Sequence, residues 1–122
     1  MNSRLRGTAG EVVAARYLEE KGYVVLARNV YAVNDEIDIV AKDGDYIVFV
    51  EVKTRKNFKH GFACEAVTMS KIKRLSRAAV FYLSKQNLLD ADVRFDIVEF
   101  YSDSGAIEHI INAFEPCFKS EF

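Results

Sequence analysis

Asp38, Glu51 and Lys53 are the residues of this 122-residue chain whose types and spacing could do chemistry together. Two carboxylates close together in a half-covered pocket repel and resist ionisation unless a cation joins them. A hard divalent ion with oxygen ligands meets that need, and Mg²⁺ takes one or two carboxylates plus waters and phosphate. Such an ion polarises a phosphoryl oxygen and activates a water, while a neighbouring ammonium stabilises the charge that develops. The pattern points to metal-dependent phosphodiester chemistry. The competing reading is a salt bridge from Lys53 to Asp38 or Glu51 at the end of a sheet.

Convergence of these side chains depends on a hairpin. Glu36 to Lys42 and Tyr46 to Thr54 read as strands, and Asp43-Gly44 between them is a strong two-residue turn signal. With that pair as the loop, Lys42 pairs with Asp45, and Asp38 lies opposite Phe49. Alternation then puts Phe49, Glu51 and Lys53 on the face of Asp38, with Glu51 its diagonal neighbour. A three-residue loop would shift the register by one and send the carboxylates to opposite faces.

Other elements must carry this hairpin. Thr8 to Glu11 has the form of a capping box, Val13, Ala14, Tyr17 and Leu18 follow at helical spacing, and Gly22 is a stop signal. In that reading the Glu11 carboxylate caps its own helix. Tyr23 to Ala27 reads as a strand, Ser70 to Gln86 as an amphipathic helix, and Val93 to Tyr101 and Ile107 to Ile111 as strands joined by a turn at Ser102 to Gly105. The order is α-β-β-β-α-β-β. The helix between the third and fourth strands predicts a right-handed crossover joining parallel neighbours. Tyr46 to Val52 is apolar at nearly every position, as a central strand covered on both faces requires. One α/β domain over residues 1–122 is expected, with a mixed sheet and a helix on each side.

The net charge of −1 hides a strong division, because residues 53–77 hold eight Lys/Arg against one Glu, and residues 90–122 hold two against eight acids. A basic segment beside a carboxylate cluster suits a phosphate-handling site. Lys71, Lys73, Arg74 and Arg77 crowd the start of their helix, where cations oppose the helix dipole and a helix selected for stability alone would place acids. With Arg55, Lys56 and Lys59 from the preceding loop they form a candidate track for a nucleic-acid backbone. Phe58 and Phe62 could stack on bases or pack in the core.

Several classes are disfavoured. Cys64 and Cys117 are too few for a disulfide framework and match no metal spacing. No apolar run approaches a membrane span and no signal peptide is visible, so a soluble cytoplasmic protein is expected. No phosphate-binding glycine loop, nucleophile elbow or zinc-protease helix is present. His60 and His109 read as a loop residue and a strand residue, and Arg94 with Asp96 as an edge salt bridge or a dimer contact.

Asp38 followed by Glu51-Val52-Lys53 resembles the PD-(D/E)XK nuclease motif, with Ile37 where a proline commonly stands. The likeness extends to Gly7, Gly10-Glu11, Gly22-Tyr23, Asn29, Glu36-Ile37-Asp38, Phe49 through Arg55, Gly61, Lys71, Arg94-Phe95-Asp96 and Asn112-Ala113-Phe114. Together these resemble the YraN-like family over nearly the whole chain. That family's fold is similar to that of archaeal Holliday-junction resolvases, dimers that cut branched DNA with Mg²⁺. The resemblance implies a restriction-endonuclease-like three-layer α-β-α fold, a Mg²⁺ or Mn²⁺ cofactor, DNA as partner and a homodimer. It implies Asp38 and Glu51 as metal ligands with the Val52 carbonyl as a third, Glu11 as an acid that joins the metal site from its helix, and Lys53 as the catalytic lysine. Glu36 belongs to the same string without an assigned role. The chain departs from the family's usual glycine before Glu-Ile-Asp: Asp35 follows Asn34 here. Both residues tolerate left-handed turn geometry, but Asp35 adds negative charge near a site that must accept phosphate.

The resulting expectation is a Mg²⁺-dependent endonuclease for structured or branched DNA. The alternatives are a nucleic-acid-binding module without turnover, and an interaction scaffold that uses a sheet edge or the tail residues Phe114, Phe118 and Phe122.

Overall fold

A computed structural model describes residues 3–32, 35–57 and 67–118 of the chain. The elements are α1 (Ser3–Glu20), β1 (Val24–Ala32), β2 (Asp35–Asp43), β3 (Tyr46–Arg55), α2 (Met69–Lys85), β4 (Asp92–Tyr101) and β5 (Ile107–Ile110). They form one five-stranded mixed sheet in the order β1-β2-β3-β4-β5. The β3–β4 pair is parallel and the other three pairs are antiparallel, so α2 is the crossover that the sequence pattern requires.

Helix boundaries follow capping chemistry. Gly22, with φ of +96°, ends α1 in a Schellman motif: Tyr23 N–H donates to Leu18 C=O and Gly22 N–H to Glu19 C=O, both at 3.0 Å. At the start of α2, the Thr68 hydroxyl accepts the Lys71 N–H at 3.2 Å. Asn87, with φ of +57°, takes the left-handed position after α2, and Leu88 N–H closes back on Leu83 C=O at 2.8 Å. The capping box at Thr8 is not a helix start. The helix begins at Ser3, Thr8 lies inside it, and Glu11 stands in mid-helix with its carboxylate free of any capping duty.

The hairpin register also differs from expectation. Asp43 pairs with Tyr46, so the two-residue loop is Gly44-Asp45, and Gly44 takes a left-handed φ of +59° at the first loop position rather than the second. The partner of every β2 residue moves by two. Continued past its last pair, Ile39 with Val50, this register sets Asp38 level with Glu51 instead of Phe49. Because the shift is even, the paired residues Ile39 to Asp43 keep the facing that the sequence pattern predicts.

The sheet is covered on both sides. Val40, Phe49 and Phe95 pack against Leu75, Ala79 and Tyr82 of α2. Ile39, Val48, Val50 and Val98 pack against Ala14 and Leu18 of α1. Ile37 joins the α2 cluster although Ile39, two residues on, belongs to the α1 cluster. Strict alternation therefore breaks at Asp38, where the β2–β3 ladder ends. Opposite it on β1, Asn29 has a left-handed φ of +53°, and β1 runs on past this irregularity through Val30↔Ile37 to Ala32↔Asp35.

A polar network near the β2–β3 turn ties the layers together. Asp96, fully buried, accepts from Arg94 Nε at 2.9 Å and the Asn112 N–H at 3.0 Å, and lies 2.7 Å from His109 Nε2. Arg94 continues to Asp43 at 3.1 Å and to the Tyr23 hydroxyl at 2.6 Å, and His109 Nδ1 meets the Tyr17 hydroxyl at 3.2 Å. Arg94 and Asp96 thus hold α1, β2, β4, β5 and the chain after β5 to one another within a single molecule. Phe114 stacks on Phe95 at 5.0 Å between ring centroids, so this part of the tail belongs to the core. Phe58, Lys59, His60, Gly61, Phe62, Cys64 and Phe122 lie outside the described residues. Among the described residues, no helix is long and apolar enough to cross a membrane.

Candidate metal centre

Beyond the Ile39–Val50 pair a side chain takes over from the backbone ladder. The Val52 N–H donates to Asp38 Oδ2 at 2.8 Å, which satisfies an amide that needs an acceptor once the strands part. Asp38 is thereby pinned in the opening between β2 and β3, in reach of Glu51 on the neighbouring strand.

Helix α1 delivers the next carboxylate. A methyl group at position 10 would run into the Thr54 hydroxyl, so Gly10 lets α1 lie close on β3. Glu11 follows at once and reaches the same opening. One carboxylate oxygen each from Glu11, Glu36 and Asp38 lie within 4.8 Å of one another. Asn29 sits between two of them: with its amide nitrogen turned to the acids, it donates to Glu11 Oε2 at 2.7 Å and Glu36 Oε1 at 2.9 Å.

Crowding of acids changes their proton affinity. Asp38 is pushed up to about 7, first by burial and then by Glu51, with Glu11 and Glu36 adding to the effect and the Val52 N–H opposing it. Burial raises Glu11, and Glu36 raises it further. Glu51 is also raised by burial, against the pull of Lys71 and Lys53. Without a cation this cluster resists full ionisation at neutral pH. An all-oxygen donor set with that deficit of positive charge fits a hard divalent ion.

Lys71 enters the site from the first turn of α2. Its ammonium lies 3.4 Å from Asp35 Oδ1 and 3.9 Å from Glu51 Oε1. Asp35 Oδ1 also accepts the Glu36 N–H at 2.8 Å, while Asp35 Oδ2 is buried with no hydrogen-bond partner.

The sequence-derived candidates therefore separate. Glu11 and Asp38 converge with Glu36 at the parting of β2 and β3, and the Val52 N–H is bound to Asp38. Glu51 lies outside that group but its charge is felt at Asp38, and the Lys53 charge is felt at Glu51. Among the basic residues, Arg55 is committed to the fully buried Glu99 at 2.8 Å, and Lys71 to the acidic site. Lys56, Lys73, Arg74 and Arg77 are exposed, and Lys59 is outside the described residues. The sequence reading left Glu36 without a role, did not connect Asn29 to the centre, and placed Asp35 near the site only as an added negative charge. Asn29 carried one usable signal, since asparagine is disfavoured within a run of strand-forming residues.

Comparison with known proteins agrees with the sequence resemblance at the level of family. The model described as "Uncharacterised protein family UPF0102" matches residues 10–100. A UPF0102 protein of Clostridioides difficile (strain 630) is 45% identical over 114 residues, covering 93% of this chain and 100% of that one. A UPF0102 protein of Geobacter metallireducens is 46% identical over 117 residues, covering 94% and 96%. Among solved structures, Pyrococcus furiosus SfsA in complex with Ca²⁺ aligns with a TM-score of 0.39 and 16% identity, over 88% of this chain and 62% of its own. By its match to the family model and to full-length relatives, the chain belongs to the UPF0102 family.

Proposed function

We propose that this protein is a metal-dependent endonuclease that hydrolyses phosphodiesters of structured or branched DNA, on a restriction-endonuclease-like fold. The observation that carries the reading is the convergence of Glu11, Glu36 and Asp38 within 4.8 Å, beside Glu51 and Lys53 of the next strand. Asp38, with Glu11 and Glu36, would hold Mg²⁺ or Mn²⁺, and Glu51 and the Val52 carbonyl, the other ligands that the resemblance implies, stand beside them on the adjoining strand. When bound, such an ion polarises a phosphoryl oxygen and acidifies a water nucleophile. Lys53 places a positive charge beside the reacting phosphate. Asp38 is kept in position by the Val52 N–H, and Asn29 holds Glu11 and Glu36 together. The likeness to Holliday-junction resolvases supports branched DNA as the substrate class and a homodimer as the acting form. In the test, purified protein is incubated with four-way-junction, flap and duplex DNA in Mg²⁺, Mn²⁺ or chelator. Metal-dependent nicking by wild type, abolished in Asp38→Asn and Lys53→Met, is expected; no product on any substrate would contradict the reading.

A second reading, a DNA-binding module without turnover, draws on the Lys71 ammonium among the acids. It predicts salt-sensitive binding with neither metal uptake nor cleavage.

A further inference from the structure

The acids of the centre divide into two groups by what neutralises them. Glu11, Glu36 and Asp38 have no ion-pair partner among the described residues; they are bridged by the neutral Asn29 amide and the Val52 N–H. Asp35 and Glu51 share one cation, the Lys71 ammonium, at 3.4 and 3.9 Å. Resting on the metal-dependent reading above, we propose that the Lys71 ammonium stands in for a second metal ion, so that the centre takes one divalent cation and not two.

Lys71 is held for this role. It is the third residue of α2, and its backbone N–H is bound to the N-cap hydroxyl of Thr68. The side chain leaves the helix at the edge of the stripe formed by Leu75, Ala78, Ala79 and Tyr82, and is about three-quarters buried. Among the described residues it is the cation within ion-pair range of Glu51. A divalent ion seated on Asp35 and Glu51 would have to bind at closer range than the ammonium now does, in a partly desolvated space where like charges repel strongly. It could enter only if Lys71 left. The Glu11–Glu36–Asp38 group has no cation within ion-pair range among the described residues, Arg28 acting on Glu11 only from farther away, so it is the place left for an ion. The two positive charges, one exchangeable and one covalently fixed, would then lie on either side of the Asp38–Glu51 step, and a phosphate group arriving there meets both. Lys71 acts by setting the number of ions and is a positioning residue in that sense.

The test counts ions. Mn²⁺ is titrated into the full chain by calorimetry, and the bound ions are examined by electron paramagnetic resonance, for wild type, Lys71→Met and Lys71→Arg. Wild type is expected to bind one Mn²⁺ with the signal of an isolated ion. Lys71→Met is expected to bind two with a spin-coupled signal, and Lys71→Arg to return to one. Two coupled ions in wild type would overturn the inference and leave the metal-dependent reading standing, as would a single ion in a folded Lys71→Met. No Mn²⁺ in any variant would remove both. If Lys71→Met does not fold, the wild-type stoichiometry decides: one ion supports the inference and two overturn it.

Discussion

Asp38 does two things with one side chain. Its Oδ2 caps the Val52 amide where the strands part, and one of its oxygens lies within 4.8 Å of carboxylate oxygens of Glu11 and Glu36. The combination has a cost that pH exposes. Because Asp38 titrates near 7 in the fold and near 4 in an unfolded chain, the folded state holds its proton more tightly. The metal-free protein therefore loses stability as pH rises through that window, and the loss levels off above about 7. Asp38→Asn keeps an acceptor for Val52 and removes the titration. Denaturant melts of the metal-free proteins should show the variant gaining on wild type between pH 5 and pH 8, although it binds no Mn²⁺. A gap between the two proteins that stays constant with pH would show that Asp38 is not the group concerned. In wild type, protons compete with the ion for the same oxygens, so Mn²⁺ affinity should climb with pH up to about 7 and then flatten. Asp38, Glu51 and Lys53 were singled out in the sequence by their types and their spacing on two neighbouring strands. Glu36 and Asn29 were not, because their part depends on a left-handed residue in β1 and on a helix approaching from another layer.

At the scale of elements, the approach of α1 to β3 decides whether Glu11 reaches the centre. Gly10→Ala gains helix propensity, about 1 kcal/mol, but drives a methyl into the Thr54 hydroxyl. Overpacking of this kind costs about 1–3 kcal/mol, so a net loss of stability is expected, with weaker Mn²⁺ binding. Removing the obstacle in Gly10→Ala/Thr54→Ala should recover both, and a thermodynamic cycle measured by thermal and denaturant unfolding isolates the coupling. Additive effects would mean that the contact does not set the helix position. Helix α2 turns Lys73, Arg74 and Arg77 to solvent with no acid in its first turn. If each of these cations meets a phosphate, the triple alanine variant should bind junction DNA more weakly and lower the slope of log K against log salt by roughly 2–3. An unchanged slope would move the DNA track elsewhere. The hairpin teaches a related lesson about reading sequence. The Asp-Gly signal located the turn to within one residue, and the shift of two set Asp38 level with Glu51 instead of Phe49. The helix start was misread because Thr8 to Glu11 fits a capping pattern as well in mid-helix as at an end.

For the molecule as a whole, strand number, crossover and layering followed from hydrophobic periodicity, since one helix on each face leaves few other ways to bury β3. The irregularities in β1 and β2 did not follow, because no period announces them. The network around Asp96 was read as an edge feature and instead fastens the layers together. Its contacts from Arg94, His109 and Asn112 outweigh the effect of burial and hold the Asp96 carboxyl below the usual carboxylate range. A depressed carboxyl contributes stability that is present above about pH 4 and is lost as pH falls below it. Asp96→Ala leaves the partly buried Arg94 with Asp43 as its remaining acid partner and takes the acceptor from His109 and the Asn112 N–H. It should cost about 3–5 kcal/mol in denaturant melts at neutral pH, with the deficit narrowing in acid; a loss under 1 kcal/mol would mean that the network is not a structural fastening. The candidate metal centre lies at the other end of β2, and one measurement tests it directly. Crystals of the wild-type protein soaked in Mn²⁺ should give an anomalous peak within about 2–2.6 Å of carboxylate oxygens of Asp38 and its neighbouring acids. A soaked crystal with no peak between β2 and β3, and Mn²⁺ bound only elsewhere or nowhere, would contradict the account.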